Sequence, residues 1–170
     1  TSQACRLKNK ASIHFGHQAS FLSPLTPRPR RRSIIGEAIL KNFAVATDFV
    51  GLHFERYDNR INLPIIRERI VNSQPQNNGH ITIYLPSYHI EQIRLVINKC
   101  YDFRFHVFSN WVKDTKKEGR VTYQPIDQDL FTTSIESCHG IITGAGFETP
   151  AEVLYLKKKL MIIPMGNHYE

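Results

Sequence analysis

The segment Gly140-Ile-Ile-Thr-Gly-Ala-Gly-Phe-Glu-Thr-Pro-Ala-Glu152 has the residue types and spacing best suited to chemistry. An apolar run leads into Gly144-Ala145-Gly146, and a helix is predicted to begin just beyond it. Glycines at such a junction let a ligand come close to the backbone. The helix start adds unpaired N–H groups and the positive end of a dipole, which together suit a phosphate. Thr149, Pro150 and Glu152 fit an N-cap, a first helical residue and the closing residue of a capping box. Spacing alone therefore leaves Glu152 with two readings, a bond back to the Thr149 backbone or a bond to a ligand. Strand–glycine–helix junctions serve many functions, so this one does not name its ligand by itself.

The elements that must position this segment follow from hydrophobic periodicity. Strands are predicted at Ala11–Gly16, Phe49–Phe54, His80–Leu85, Phe103–Phe108, Gly119–Tyr123, Gly140–Thr143 and Leu160–Pro164. Helices are predicted from Ser33 to about Ala44, from His89 to Tyr101, from Asp129 to Cys138 and from Pro150 to Lys158. The first would bury Ile34, Ile35, Ala38, Ile39 and Phe43; the second Ile90, Ile93, Val96, Ile97 and Tyr101. Residues 23–33, with three prolines and four arginines, read as an exposed loop, and residues 72–79 as a polar connection. Alternating strands and helices predict an α/β fold, a Rossmann-like doubly wound parallel sheet with ligands at the carboxyl ends of its strands. Pro86-Ser-Tyr88, Tyr123-Gln-Pro-Ile-Asp127, Gly144-Ala-Gly146 and Met165-Gly-Asn-His-Tyr-Glu170 all follow such ends, as the rim of a cleft would.

Bulk properties narrow the class. A hydrophobic content of 41% with 22% charged residues excludes a disordered chain. No apolar run reaches the roughly 20 residues of a membrane helix, and no signal peptide is evident. Cys5, Cys100 and Cys138 have neither metal nor disulfide spacing, which predicts a reducing, cytoplasmic setting. A formal charge of +7 favours anionic partners without choosing among them. The start at Thr1 predicts a piece of a longer or processed protein.

Thr143 to Glu152, then Leu160-Met-Ile-Ile-Pro164 and Asn167-His-Tyr-Glu170, resembles the donor-binding signature of GT-B glycosyltransferases. The likeness is to lipid-linked muropeptide N-acetylglucosaminyltransferases and UDP-glucuronosyl/glucosyltransferases. Gln124-Pro125-Ile126 is similar to the family's base-binding loop. Asn62-Leu-Pro64 with Arg67 is similar to the opening of the donor domain, and Gly16-His17-Gln18 to a stretch late in the acceptor domain.

The resemblance implies residues 1–60 as the tail of an N-terminal acceptor domain and residues 61–170 as an incomplete nucleotide-sugar donor domain. It implies Gly144, Ala145 and Gly146 at the diphosphate, with Thr149 adding a hydroxyl. Glu152 would meet the ribose, Ile126 the base, and Asn167, His168 and Glu170 the sugar. The donor would be a UDP-type nucleotide sugar, transferred without metal or cofactor, and the general base would lie outside this chain, leaving it inactive alone. Two departures stand out. Relatives often carry His where Gly144 stands, and Glu148 places a carboxylate near the phosphate site.

The other candidates have plainer readings. The eight histidines lack metal spacing; His14 and His53 read as packed, and His17 as a residue of an interdomain cleft. The cluster Arg28–Arg32 reads as a solvated loop or as a foothold on an anionic membrane surface, making the protein peripheral at the inner face. A nucleotide-sugar epimerase on the same fold and a basic nucleic-acid-binding module are the competing functions. The second finds no recognition motif, so no nucleic-acid partner is expected.

Overall fold

A computed structural model describes residues 2–28, 33–42 and 45–164. They divide into two compact units, one reaching to Ile65 and the other beginning at Ile66.

In the first unit, helix α1 (Ser2–Leu7) precedes strand β1 (Ile13–Gly16), α2 (His17–Ser20), α3 (Ile34–Asn42), β2 (Asp48–Leu52) and β3 (Ile61–Asn62). The strands form a parallel sheet in the order β1-β2-β3. The α3 stripe differs from expectation: Ile34, Ile35 and Ile39 are 89%, 73% and 57% exposed, and only Leu40 is buried among the helix's described residues. Periodicity marks which face of a helix is apolar, not whether a second layer lies over it. Phe43 lies outside the described residues.

The stretch after α2 is more ordered than a proline-rich loop suggests. Ser23 and Thr26 are buried, Ser23 donating to Asp58 at 2.7 Å and Thr26 to the Ser20 carbonyl at 2.6 Å. Arg28 donates to the Phe21 carbonyl, lies over the Phe21 ring at 5.0 Å and pairs with Glu37 at 3.4 Å. Its charge is therefore already matched within the unit. The remainder of the arginine cluster, residues 29–32, lies outside the described residues.

The second unit begins with α4 (Glu68–Val71) and continues β4 (His80–Tyr84), α5 (Ile90–Ile97), β5 (Arg104–Phe108), β6 (Lys116–Glu118), β7 (Val121–Gln124), α6 (Gln128–Ser137), β8 (Gly140–Gly144), α7 (Glu148–Tyr155) and β9 (Lys159–Ile163). The sheet order is β6-β7-β5-β4-β8-β9. All neighbours run parallel except β6, an antiparallel edge strand. Counting only parallel strands, the order is third-second-first-fourth-fifth, that of a Rossmann-like doubly wound sheet.

Strand alternation explains the two covered faces. Ile83, Phe105, Val107, Val121 and Tyr123 meet Ile93 and Ile97 of α5 in one core cluster. The opposite face carries Ile141, which packs with Ile70 of α4, Ile135 of α6, and Val153 and Leu156 beyond. On α5, Val96 and Tyr101 were expected inward but are 64% and 77% exposed, Tyr101 lying past the helix end. His89 caps α5 in a capping box with Gln92, and Asp127 caps α6 through the amides of Asp129 and Leu130.

Candidate functional site

The five parallel strands end along one edge. Gln124 of β7 is level with Phe108 of β5, Phe108 with Tyr84 of β4, Tyr84 with Thr143 of β8, and Thr143 with Ile162 of β9. Chain order reverses between β4 and β8, because β5 lies on one side of β4 and β8 on the other. Loops leaving such a pair diverge and open a crevice at the carboxyl edge.

A cavity of about 180 Å³ occupies that point. Its walls are the end of β4 with Leu85-Pro-Ser-Tyr88, the turn Thr143 to Gly146, Thr149 of α7 and Ile163 of β9. No charged side chain is among these lining residues, and the wall is predominantly apolar.

Two glycines in the wall are unexplained by the fold. Gly144 and Gly146 do not adopt positive φ, and a Cβ built on either meets nothing within 4 Å. Gly140, at the other end of β8, differs: its Cβ would come 3.0 Å from both the side chain and the carbonyl of Lys159. A side chain at 140 would crowd Lys159, whereas 144 and 146 have open space beside them and line the cavity.

Helix α7 begins two residues earlier than the spacing suggested. Phe147 is the N-cap and makes no side-chain capping bond, so Thr149 and Pro150 already lie inside the first turn. The predicted capping box is absent, and Glu152 uses its carboxylate elsewhere. Arg67 donates from Nε to Oε1 at 2.5 Å and from Nη2 to Oε2 at 2.7 Å, a two-pronged pair with a carboxylate whose side chain is 8% exposed. That hydrogen bond, and at longer range the charges of Glu148 and Glu136, raise the Arg67 pKa above its ordinary value. Glu148 is exposed and absent from the cavity wall.

Of the residues singled out from sequence, Gly144, Ala145, Gly146 and Thr149 come together at the cavity. Ile126 follows β7 further along the edge, 39% exposed, and Glu152 lies one turn beyond Thr149; neither lines the cavity. Asn167, His168 and Glu170 lie outside the described residues. His17 belongs to the first unit, where its Nδ1 is 3.0 Å from the Leu52 carbonyl and its ring meets Phe21 and His53. Tyr84 contributes to the wall without having been singled out, because inside a strand it looks like any core aromatic. Among the described residues, no group of three or more His, Cys, Asp or Glu is arranged to hold a metal, and no helix is long and apolar enough to cross a membrane.

The profile of glycosyl transferase family 1 matches residues 13–170. The chain belongs to that family. Curated protein sequences give no match. Among solved structures, the chain is similar to the glycosyltransferase SnogD from Streptomyces nogalater, at 13% identity and a TM-score of 0.47. That likeness covers 95% of this chain and 57% of SnogD, so the chain spans little more than half the length of that protein. Membership of the glycosyl transferase family favours the glycosyltransferase reading of the sequence over the epimerase and nucleic-acid readings.

Proposed function

We propose that the second unit binds the nucleotide diphosphate of a sugar donor, and that the intact protein transfers the sugar to an acceptor hydroxyl without a metal ion. The supporting observation is the cavity at the β4–β8 reversal, lined by two glycines that the fold does not require. In this reading the pyrophosphate rests on the backbone of Gly144 to Gly146, with the Thr149 hydroxyl beside it. When the bond from the sugar's anomeric carbon to the diphosphate breaks, negative charge grows on the departing phosphate oxygen. Backbone amides and the positive end of α7 stabilise that charge in place of a cation. The acceptor proton goes to a base supplied by another part of the intact protein. Glu152 accepts from the ribose, and the loop at Ile126 meets the base. Asn167, His168 and Glu170 complete the sugar subsite. Of the arginine cluster, Arg28 is paired with Glu37, so a foothold on an anionic membrane surface would fall to Arg30, Arg31 and Arg32.

Calorimetry of the chain with UDP, GDP and dTDP tests the reading. One of the three is expected to bind, and affinity in excess EDTA should stay within about twofold of that in magnesium. Binding that vanishes on chelation would refute the metal-free part while leaving the cavity assignment intact. Trp111, the single tryptophan, is 66% exposed and rests on His89 at 4.9 Å, next to the cavity residue Tyr88. Its fluorescence gives a second titration signal.

A further inference from the structure

We infer that the turn joining α5 to β5, at the amino edge of the second unit's sheet, docks on an anionic lipid bilayer. That edge is opposite the cavity, so the donor site and this face stand or fall separately.

A short stretch of chain builds the face. Leu95 and Val96, on the last turn of α5, are 70% and 64% exposed; Tyr101 and Phe103, in the turn, are 77% and 44% exposed. The core is filled without them. Ile93 and Ile97 take the inward side of α5, and Phe105 and Val107 that of β5. Apolar groups gathered on a surface and rimmed by polar ones mark an interaction site.

The rim charges decide what meets it. Lys99 and Arg104 are exposed, and the Arg120 guanidinium lies over the Tyr101 ring at 5.1 Å. Arg104 donates to the Asn78 carbonyl, and Arg120 to the Ile97 carbonyl at 2.7 Å. A carbonyl leaves the positive charge in place. Among the described residues, none of these three cations is paired with a carboxylate. Glu91 and Glu118 are held by Arg94 and Lys116, which leaves Asp102 as the carboxylate within the turn. Apolar side chains ringed by cations match an anionic membrane surface. Leucine, valine and ring edges enter the acyl boundary, while ammonium and guanidinium groups stay among the phosphates. Tyrosine suits that boundary, with an apolar ring and a wet hydroxyl. Strand β5 has five residues, which puts roughly 15 Å between the two edges of the sheet. A bilayer at the amino edge therefore leaves the cavity mouth in water, where a soluble nucleotide arrives.

Flotation of the full chain with vesicles of phosphatidylcholine, alone or mixed with phosphatidylglycerol, tests the face. Wild type should bind the mixed vesicles roughly tenfold better than the neutral ones, and added salt should weaken it. Leu95→Gln combined with Tyr101→Ser should cut that binding roughly tenfold, and Lys99→Glu roughly fivefold. Ile34→Gln combined with Ile35→Gln, on the exposed face of α3, is the control and should bind as wild type does. Nucleotide affinity should be the same in every variant. If the Leu95 and Tyr101 double variant melts early, Lys99→Glu decides. Equal binding to both kinds of vesicle, or binding to neither, would overturn the inference. So would loss of binding in the α3 variant alone, which would move the foothold to the first unit. A wild-type dimer that the Leu95 and Tyr101 changes split into monomers, with no vesicle binding, would assign the face to a second copy and overturn it too.

Discussion

Replacing Gly144 or Gly146 with alanine should raise thermal stability and weaken nucleotide binding at once. Neither position needs a positive φ, and neither added methyl meets another protein atom within 4 Å. Removing glycine's extra freedom in the unfolded chain should then stabilise the fold by about 0.4–1 kcal/mol, or about 1–3 °C in Tm for this size. The same methyl projects where the pyrophosphate is proposed to lie against the backbone. Affinity for the bound diphosphate should fall roughly ten- to a hundredfold, equivalent to about 1.4–2.7 kcal/mol. Gly140→Ala is the matched control, because its methyl would press on Lys159 at 3.0 Å. That variant should lose stability and keep its affinity. Thermal melts and calorimetry on the three proteins give both quantities. Affinity unchanged at both 144 and 146 would mean that the ligand, if any, lies elsewhere.

Acid should destabilise the second unit well before its carboxylates are protonated. His80 and His106 stack at 3.8 Å on the α6 side of the sheet and share the Ser134 hydroxyl, at 3.2 and 3.1 Å. Thr82 reaches the same oxygen at 2.8 Å. Ser134 has one donor and two acceptor sites, which just suffice for these three partners. Burial first, and then the charge of His106, lower the His80 pKa from 6.5 to about 4, with Arg104 and Lys158 adding to the effect. His106 is lowered too, by burial and then by Arg104. The unfolded chain therefore takes up protons before the folded one as pH falls. The contribution is fully present above pH 6.5 and drains away as pH drops toward about 4. Between pH 7 and 5 the loss from His80 alone should be about 2 kcal/mol. Denaturant unfolding across that range should show this slope, and His80→Gln should flatten it. A wild-type curve flat from pH 7 to 5 would contradict the buried neutral pair.

These two expectations draw on different amounts of sequence. The sheet was legible because its apolar residues keep period two while its helices keep period 3.6. Ile81 and Ile83 on one face of β4, Thr82 and Tyr84 on the other, follow from alternation alone. Strand β6 was not legible: Lys116-Lys-Glu118 is wholly exposed, and an edge strand of charged residues carries no hydrophobic signal. The glycine turn was also readable, since strand, glycines and helix are contiguous. The partner of Glu152 was not, because spacing reports only local bonds and Arg67 arrives from far along the chain. Local spacing allowed a capping box, yet the helix starts two residues early and the carboxylate finds a stronger, charged partner. The exposed apolar face of α3 shows the same limit, because a period cannot say whether anything packs against it.

The proposed function stands or falls with a pyrophosphate resting on the backbone of the turn between β8 and α7. Amide chemical shifts of the 15N-labelled chain, followed while UDP or GDP is added, test it most directly. The largest movements are expected at Gly144, Ala145, Gly146 and Thr149, saturating with the calorimetric affinity and reproduced in part by pyrophosphate alone. Saturable binding that leaves those four amides unmoved while shifting others would contradict it.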